Sequence, residues 1–166
     1  MTTVTPRGFL FALDDGDVQR VTDAGALDLH AVLEPLWGQA DRVIEADRAW
    51  RDIHRALALN DPEGVLSRAL LVGQAPGGSS SRIVLAREVE ATSRALARID
   101  YDDFRDRFIS CLPGDPDEEG DAVKAAYAYR WFTCLQAFYR AAASARRAVL
   151  FTVDLSVEPP RAVRVA

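Results

Sequence analysis

The chain of 166 residues is 49% hydrophobic and 27% charged, with a formal net charge of −5, a composition ordinary for a soluble protein, for which disorder is not the default reading. The length fits one domain with one core over 1–166, with 157–166 expected as a loose tail beyond the Pro159-Pro160 pair. The acidic balance, with arginines interleaved among acids and no basic stripe, excludes a general binder of phosphate backbones, so nucleic acid is not an expected partner.

The first residues lack a signal-peptide layout, because their short apolar run stops at Asp14 and Asp15, and no apolar stretch approaches the length of a membrane span. A cytoplasmic setting without membrane contact is therefore expected. In such a setting Cys111 and Cys134, far apart and flanked by apolar residues, read as reduced thiols and not as a disulfide.

Gly8 to Leu13, GFLFAL, is an apolar run bounded by glycine and by Asp14-Asp15-Gly16, which predicts a buried strand. Val18 and Val21 suggest a weak helix. A separate short helix is predicted to end near Leu36, between Leu27 and the stop signals Pro35 and Gly38. From Ala46 to Leu59 the sequence ADRAWRDIHRALAL reads as an amphipathic helix. Trp50, Ile53, His54 and Leu57 share one face at 3.6 residues per turn, and Asp47 is placed to cap the N-terminus.

Asn60-Asp61-Pro62 marks a turn and a fresh start, with Asp61 as cap and Pro62 in the first helical position; Val65, Leu66, Ala69 and Leu70 form the apolar face that follows. Gln74 to Ser81 is a Gly/Pro/Ser loop, Ile83 to Leu85 a short strand, and Val89, Thr92, Leu96 and Ile99 a helical face. Tyr101, Phe104, Phe108 and Ile109 mark another. The acidic loop Pro113 to Asp121 leads into a long helix, about Asp121 to Arg146. Its predicted core stripe is Val123, Tyr127, Trp131, Cys134 and Phe138, with Phe132, Leu135 and Tyr139 beside it, and Arg146 and Arg147 close it. Ala148 to Leu155 is the best strand signal, suited to the centre of a small sheet. The fold class read from this order is α+β: a helix-rich single domain with a small β-sheet and one long central helix near the C-terminal end.

The segments ADRAWRDIHRAL and VLSRALLVG, then RIVLAREVEATSRAL and DFRDRF, and finally WFTCLQAFYRAAASARRAVLFTVD resemble, in that order, the YfbM-like family of small bacterial proteins of unknown function. The resemblance covers most of Ala46 to Asp154 and, more faintly, the Gly8 strand. Trp50 and His54 fall where the family has its Trp and His, Gly73 where a glycine follows the second helix, and Arg82 where an arginine opens the next strand. Two segments depart. GGSSS replaces a Gly-Pro loop with an aromatic, and the acidic loop around Asp117 replaces an aromatic-proline segment. The resemblance implies a compact α+β fold and an uncharacterised role.

Sharper chemical motifs fail on inspection. Gly73 and Gly78 have the spacing of a phosphate loop, but Ser79 stands where the lysine belongs and the loop leaves a helix. Asp115, Asp117, Glu119 and Gly120 mimic the opening of a calcium loop, yet Ala126 occupies the position of the bidentate glutamate. His30, His54, Cys111 and Cys134 lack the close spacing of zinc ligands, so no metal and no cofactor is expected. The adjacent pairs Asp14-Asp15 and Asp102-Asp103 read as helix caps and not as an acid/base dyad.

His54 is the residue on which function turns. A histidine beside a tryptophan on an apolar face is read first as a core residue bonded to a backbone carbonyl, and second as a general base or ligand donor. The candidate pocket comprises Trp50, His54, Asp47, Arg82, Tyr127 and Trp131. The preferred function is a non-enzymatic module binding a protein partner or a small ligand; the alternative is a hydrolase-like or nucleotide-modifying enzyme around His54, Trp50 and Arg82. No serine or cysteine nucleophile signature supports the latter.

Overall fold

The computed structural model describes residues 7–70, 81–114 and 117–153. Four strands, β1 (Gly8–Leu13), β2 (Val43–Asp47), β3 (Ser81–Val84) and β4 (Ala148–Val153), form one antiparallel sheet in the order β2-β1-β4-β3. The two strongest strand signals are the two inner strands, and every residue of β1 is buried. An inner strand can be apolar throughout only when both sheet faces are covered, and the alternation shows that they are. Phe9, Phe11 and Leu13, with Leu150, meet Leu29, Leu33, Leu36 and Trp37 on one side. Leu10, Ala12, Val149 and Phe151 meet Ile53, Leu96, Phe104, Phe132 and Tyr139 on the other. The fold is α+β, with the sheet between α1 (Asp15–Leu33) and a layer made of α2 (Trp50–Ala58), α3 (Val65–Arg68), α4 (Ala86–Ala97), α5 (Tyr101–Ser110) and α6 (Glu118–Ser144).

Several local expectations are corrected. The weak helix at Val18 and the helix before Leu36 are one continuous element, α1, followed by a 3-10 turn at Glu34–Leu36 that contains Pro35. Its start is strong because Asp14 and Asp17 cap each other's backbone N–H groups, at 2.8 and 3.2 Å. Ala46 and Asp47 are not helical. Strand pairing of Val43 with Phe11 and Ile44 with Leu10 carries the chain extended through Ala46 to the strand's end at Asp47, where the backbone turns, so α2 begins only at Trp50 and has no side-chain cap.

Further along, α3 is a single turn capped at Gly64, with Val65 exposed, so Asp61 and Pro62 belong to the preceding turn. The α5 cap is Asp100, whose carboxylate accepts from the Asp103 N–H at 2.9 Å; Asp102 and Asp103 occupy its first turn. Ile109, expected on the inner face of α5, is exposed.

The largest correction concerns α6. It starts at Glu118 behind Asp117, whose carboxylate accepts from the Gly120 N–H at 3.2 Å. Its buried face runs through Ala125, Ala128, Phe132, Leu135, Tyr139 and Ala142. Of the expected stripe, Val123 and Tyr127 are 67% and 48% exposed, Trp131 and Cys134 are half-buried, and only Phe138 is buried. Small alanines occupy the close approaches, which turns the larger side chains of the first half outward. The helix closes with Arg146 at φ 54°, the Arg146 and Arg147 N–H groups bonding Ala143 and Ala142 carbonyls. That is a Schellman motif built on arginine in place of glycine, and the Arg147 guanidinium is turned to Asp41 at 3.1 Å instead of to the helix end.

A buried ion pair joins the α1 layer to the sheet. Arg42, just before β2, is 8% exposed and Asp17 is 4% exposed. The Arg42 guanidinium pairs with the Asp17 carboxylate and donates through Nε to the Ala12 carbonyl at 2.6 Å. The Ala12 N–H returns a bond to the Arg42 carbonyl at 2.7 Å. The Asp17 N–H, with Arg42 nearby, holds the Asp14 carboxyl below its ordinary pKa.

Candidate functional site

The six residues expected to share a pocket occupy three places. The first forms where β2 ends. A bulge between Gly8 and Phe9 interrupts the β1–β2 register opposite Asp47, and Asp47 takes φ 45°, a left-handed conformation uncommon outside glycine. Gly8 is required here by the close packing: a Cβ would stand 2.8 Å from the Phe151 ring and 3.0 Å from Trp50. The turned backbone directs the Asp47 carboxylate not to the start of α2, as its sequence position suggested, but across to α6, where it accepts from the Tyr127 hydroxyl at 2.5 Å. Trp131, one turn further along α6, lies beside the same hydroxyl. Burial and then the Asp47 carboxylate push the Tyr127 hydroxyl above its ordinary pKa, so it stays protonated and committed to Asp47.

Tyr127 also borders an apolar groove of about 360 Å³ between α2, α5 and α6. Its floor is Ala49, Phe108, Leu112 and Ala128, and Val123 forms an exposed wall. Asp52 and Lys124 mark its polar rim. Sequence reasoning missed these residues apart from Tyr127 because Val123 was assigned to the core. The signal available was the width of the α6 apolar stripe, too broad for one buried face.

The second place is the inner face of α2. Trp50 is buried against Phe151, with ring centroids 5.5 Å apart, and the Arg51 guanidinium lies 5.3 Å from its ring. His54 is half-buried beside the Ser67 backbone of α3, while its Nδ1 is buried without a partner among the described residues. Burial pushes its pKa below the ordinary value, and the nearby Ser67 backbone offsets part of that. An unfolded chain takes up this proton near the ordinary histidine value of 6.5, whereas the native state resists it. Stability is therefore expected to be full above that pH and to fall as pH is lowered toward the depressed native value. Urea midpoints measured from pH 7.5 to 5 should show the fall, and His54→Gln should flatten it; an unchanged slope in the variant would assign the pH dependence to other groups.

The third place is the edge of the sheet. Arg82, on β3 opposite Phe151, lines a separate cleft of about 180 Å³ with residues of α3 and α4. His54 borders neither cleft. Gly73 and the Gln74 loop, and Asp115 of the acidic segment, lie outside the described residues.

The family model for a domain of unknown function, DUF1877, matches residues 8–152. The chain belongs to this family. A solved structure of the same shape is the protein of unknown function YfbM from Escherichia coli, with a TM-score of 0.70 at 17% identity over 89% of this chain and 99% of that one. That likeness establishes the YfbM-like fold. No curated protein matches the chain. In this DUF1877 domain, no helix among the described residues is long and apolar enough to cross a membrane, and both Cys111 and Cys134 are free.

Proposed function

We propose that this DUF1877 domain is a non-enzymatic, cytoplasmic binding module whose ligand is a small, mostly apolar molecule carrying a hydrogen-bond donor. The observation that supports this reading most is the α2–α5–α6 groove. Its volume of about 360 Å³ lies in the range of small-molecule pockets, its floor is apolar, and its exposed wall residues Val123 and Tyr127 are large hydrophobics. The donor preference follows from the groups at its margin: the Asp52 carboxylate accepts, and the Tyr127 hydroxyl, which keeps its proton, already donates its hydrogen bond to Asp47. The strained backbone at Asp47 fits the same reading, since conformations of this kind concentrate where ligands are held. A hydrolytic site would need His54 and Arg82 around one cavity, whereas they stand in different surroundings.

The test uses N-phenyl-1-naphthylamine, a neutral fluorescent amine. Saturable binding with one site is expected, weakened roughly five- to tenfold by Val123→Asp, because a lost valine contact is worth about 1 kcal/mol and the new carboxylate adds a desolvation cost. Leu59→Asp, at an exposed position elsewhere, should bind as the parent does. Binding that never saturates, or that ignores Val123→Asp, would defeat the reading.

A further inference from the structure

The cleft at the sheet edge differs from the groove in charge. It is lined by Arg68, Arg82 and Arg87 against the single carboxylate of Glu88. Glu88 is already engaged, since one oxygen accepts from the Leu85 N–H at 3.2 Å and the other lies 3.9 Å from Arg68. Arg82 and Arg87 have no acid partner among the described residues. In a protein of net charge −5, three arginines lining one concavity create a local positive potential that attracts anions against the overall field.

Placement makes Arg82 the central group. Its cross-strand partner is Phe151, whose ring belongs to the core under α2 and α6, so Arg82 projects from the same face of the sheet. It is half-buried and near enough to influence the buried Tyr139 hydroxyl. A guanidinium partly withdrawn from water and left without a carboxylate is costly unless a ligand completes it. The first turn of α4, a helix of 12 residues, opens on the same cleft and adds the positive end of its dipole. The remaining lining is apolar at Val65, Ile83, Val84 and Ala91 and polar at Thr92, whose hydroxyl donates to the Glu88 carbonyl at 3.1 Å.

We propose that this cleft binds a phosphate group, with Arg82 and Arg87 as the two forks that grip its oxygens and Arg68, shared with Glu88, at the rim. Planar guanidinium groups match phosphate oxygens in bidentate pairs, which a compact cleft rewards more than a diffuse basic surface does. The site is separate from the apolar groove and does not depend on it.

Calorimetric titration of the full chain with inorganic phosphate and with phenyl phosphate separates the sources. Tighter phenyl phosphate binding identifies a phosphomonoester whose body lies on Val65 and Ile83, and equal affinity identifies the free anion. Saturable one-site binding with a Kd near or below about 1 mM is expected, weakened about tenfold or more by Arg82→Gln or by Arg87→Gln, as removal of a charge-assisted bond implies. Arg87 is exposed, so its variant keeps the test valid if Arg82→Gln lowers the melting temperature. Arg105→Gln, paired with Asp106 on α5, should bind normally. Absence of saturable binding, equal binding of benzoate, or indifference to both arginine substitutions would overturn the proposal.

Discussion

Asp17→Ala is expected to destabilise the protein by about 3–5 kcal/mol, the cost of stranding a buried charge. Against a typical total of about 5–15 kcal/mol this is a large fraction. Removing the carboxylate leaves the Arg42 guanidinium enclosed, with its Nε still held by Ala12 but its terminal nitrogen opposite nothing better than Asp14, 3.7 Å away and largely exposed. The same substitution removes half of the reciprocal cap at the start of α1. Urea denaturation measures the loss, and the double variant Asp17→Ala/Arg42→Met discriminates its cause. If the stranded charge dominates, the apolar replacement should recover much of the stability; if the cap dominates, it should recover none. A loss below about 1 kcal/mol in the single variant would mean that water reaches Arg42 readily.

Phe132→Ala is expected to cost a similar amount, about 3–5 kcal/mol, by opening a cavity at the centre of the helical layer. The ring is fully buried and stacked on Phe104 with centroids 4.7 Å apart, and Tyr129 borders both rings. Its neighbour Trp131, larger but half-buried at the margin, should cost only about 1–2 kcal/mol when cut to alanine, because much of its surface stays in water in either state. The comparison is a direct reading of how α6 is rotated, since adjacent residues on a helix point about 100° apart. If Trp131→Ala proved the costlier change, the helix would present the face expected from sequence instead.

That contrast also shows what periodicity can and cannot deliver. The strands of β1 and β4 were legible because continuous apolar runs bounded by turn residues have few other uses, and α4 was legible because Val89, Thr92 and Leu96 repeat cleanly and are buried, as is Ile99 just past its end. In α6 the rule of large apolar residues inside failed. Alanine at 125, 128 and 142 is what lets neighbouring elements come close, and a scan for bulk passes over it. Strand β2 was hidden for another reason: ADRAW has helical character, and only pairing with β1 holds the chain extended through Ala46.

The candidate site was legible in parts. Asp47, Tyr127 and Trp131 do meet, although Asp47 was chosen as a helix cap and Tyr127 and Trp131 as core. Nothing local in the sequence announces that a carboxylate at residue 47 reaches a hydroxyl at residue 127, because the bulge at Gly8 that aims it comes from a third element. Arg42 carried no signal at all, being one arginine among many until Ala12 and Asp17 enclose it.

The pairing of β1 with β4 has a consequence during synthesis. Gly8 is registered with Val153 and Leu13 with Ala148, so one edge of β1 finds β2 early while the other waits for the last strand. Until β4 leaves the ribosome, GFLFAL presents a row of unpaired backbone groups with no charge, proline or bulge along its Phe11–Leu13 half to discourage a foreign strand. The nascent chain thus carries an uncovered template for intermolecular pairing through the making of every helix, and its safe passage depends on the speed of translation and on holding chaperones more than on the stability of the finished fold.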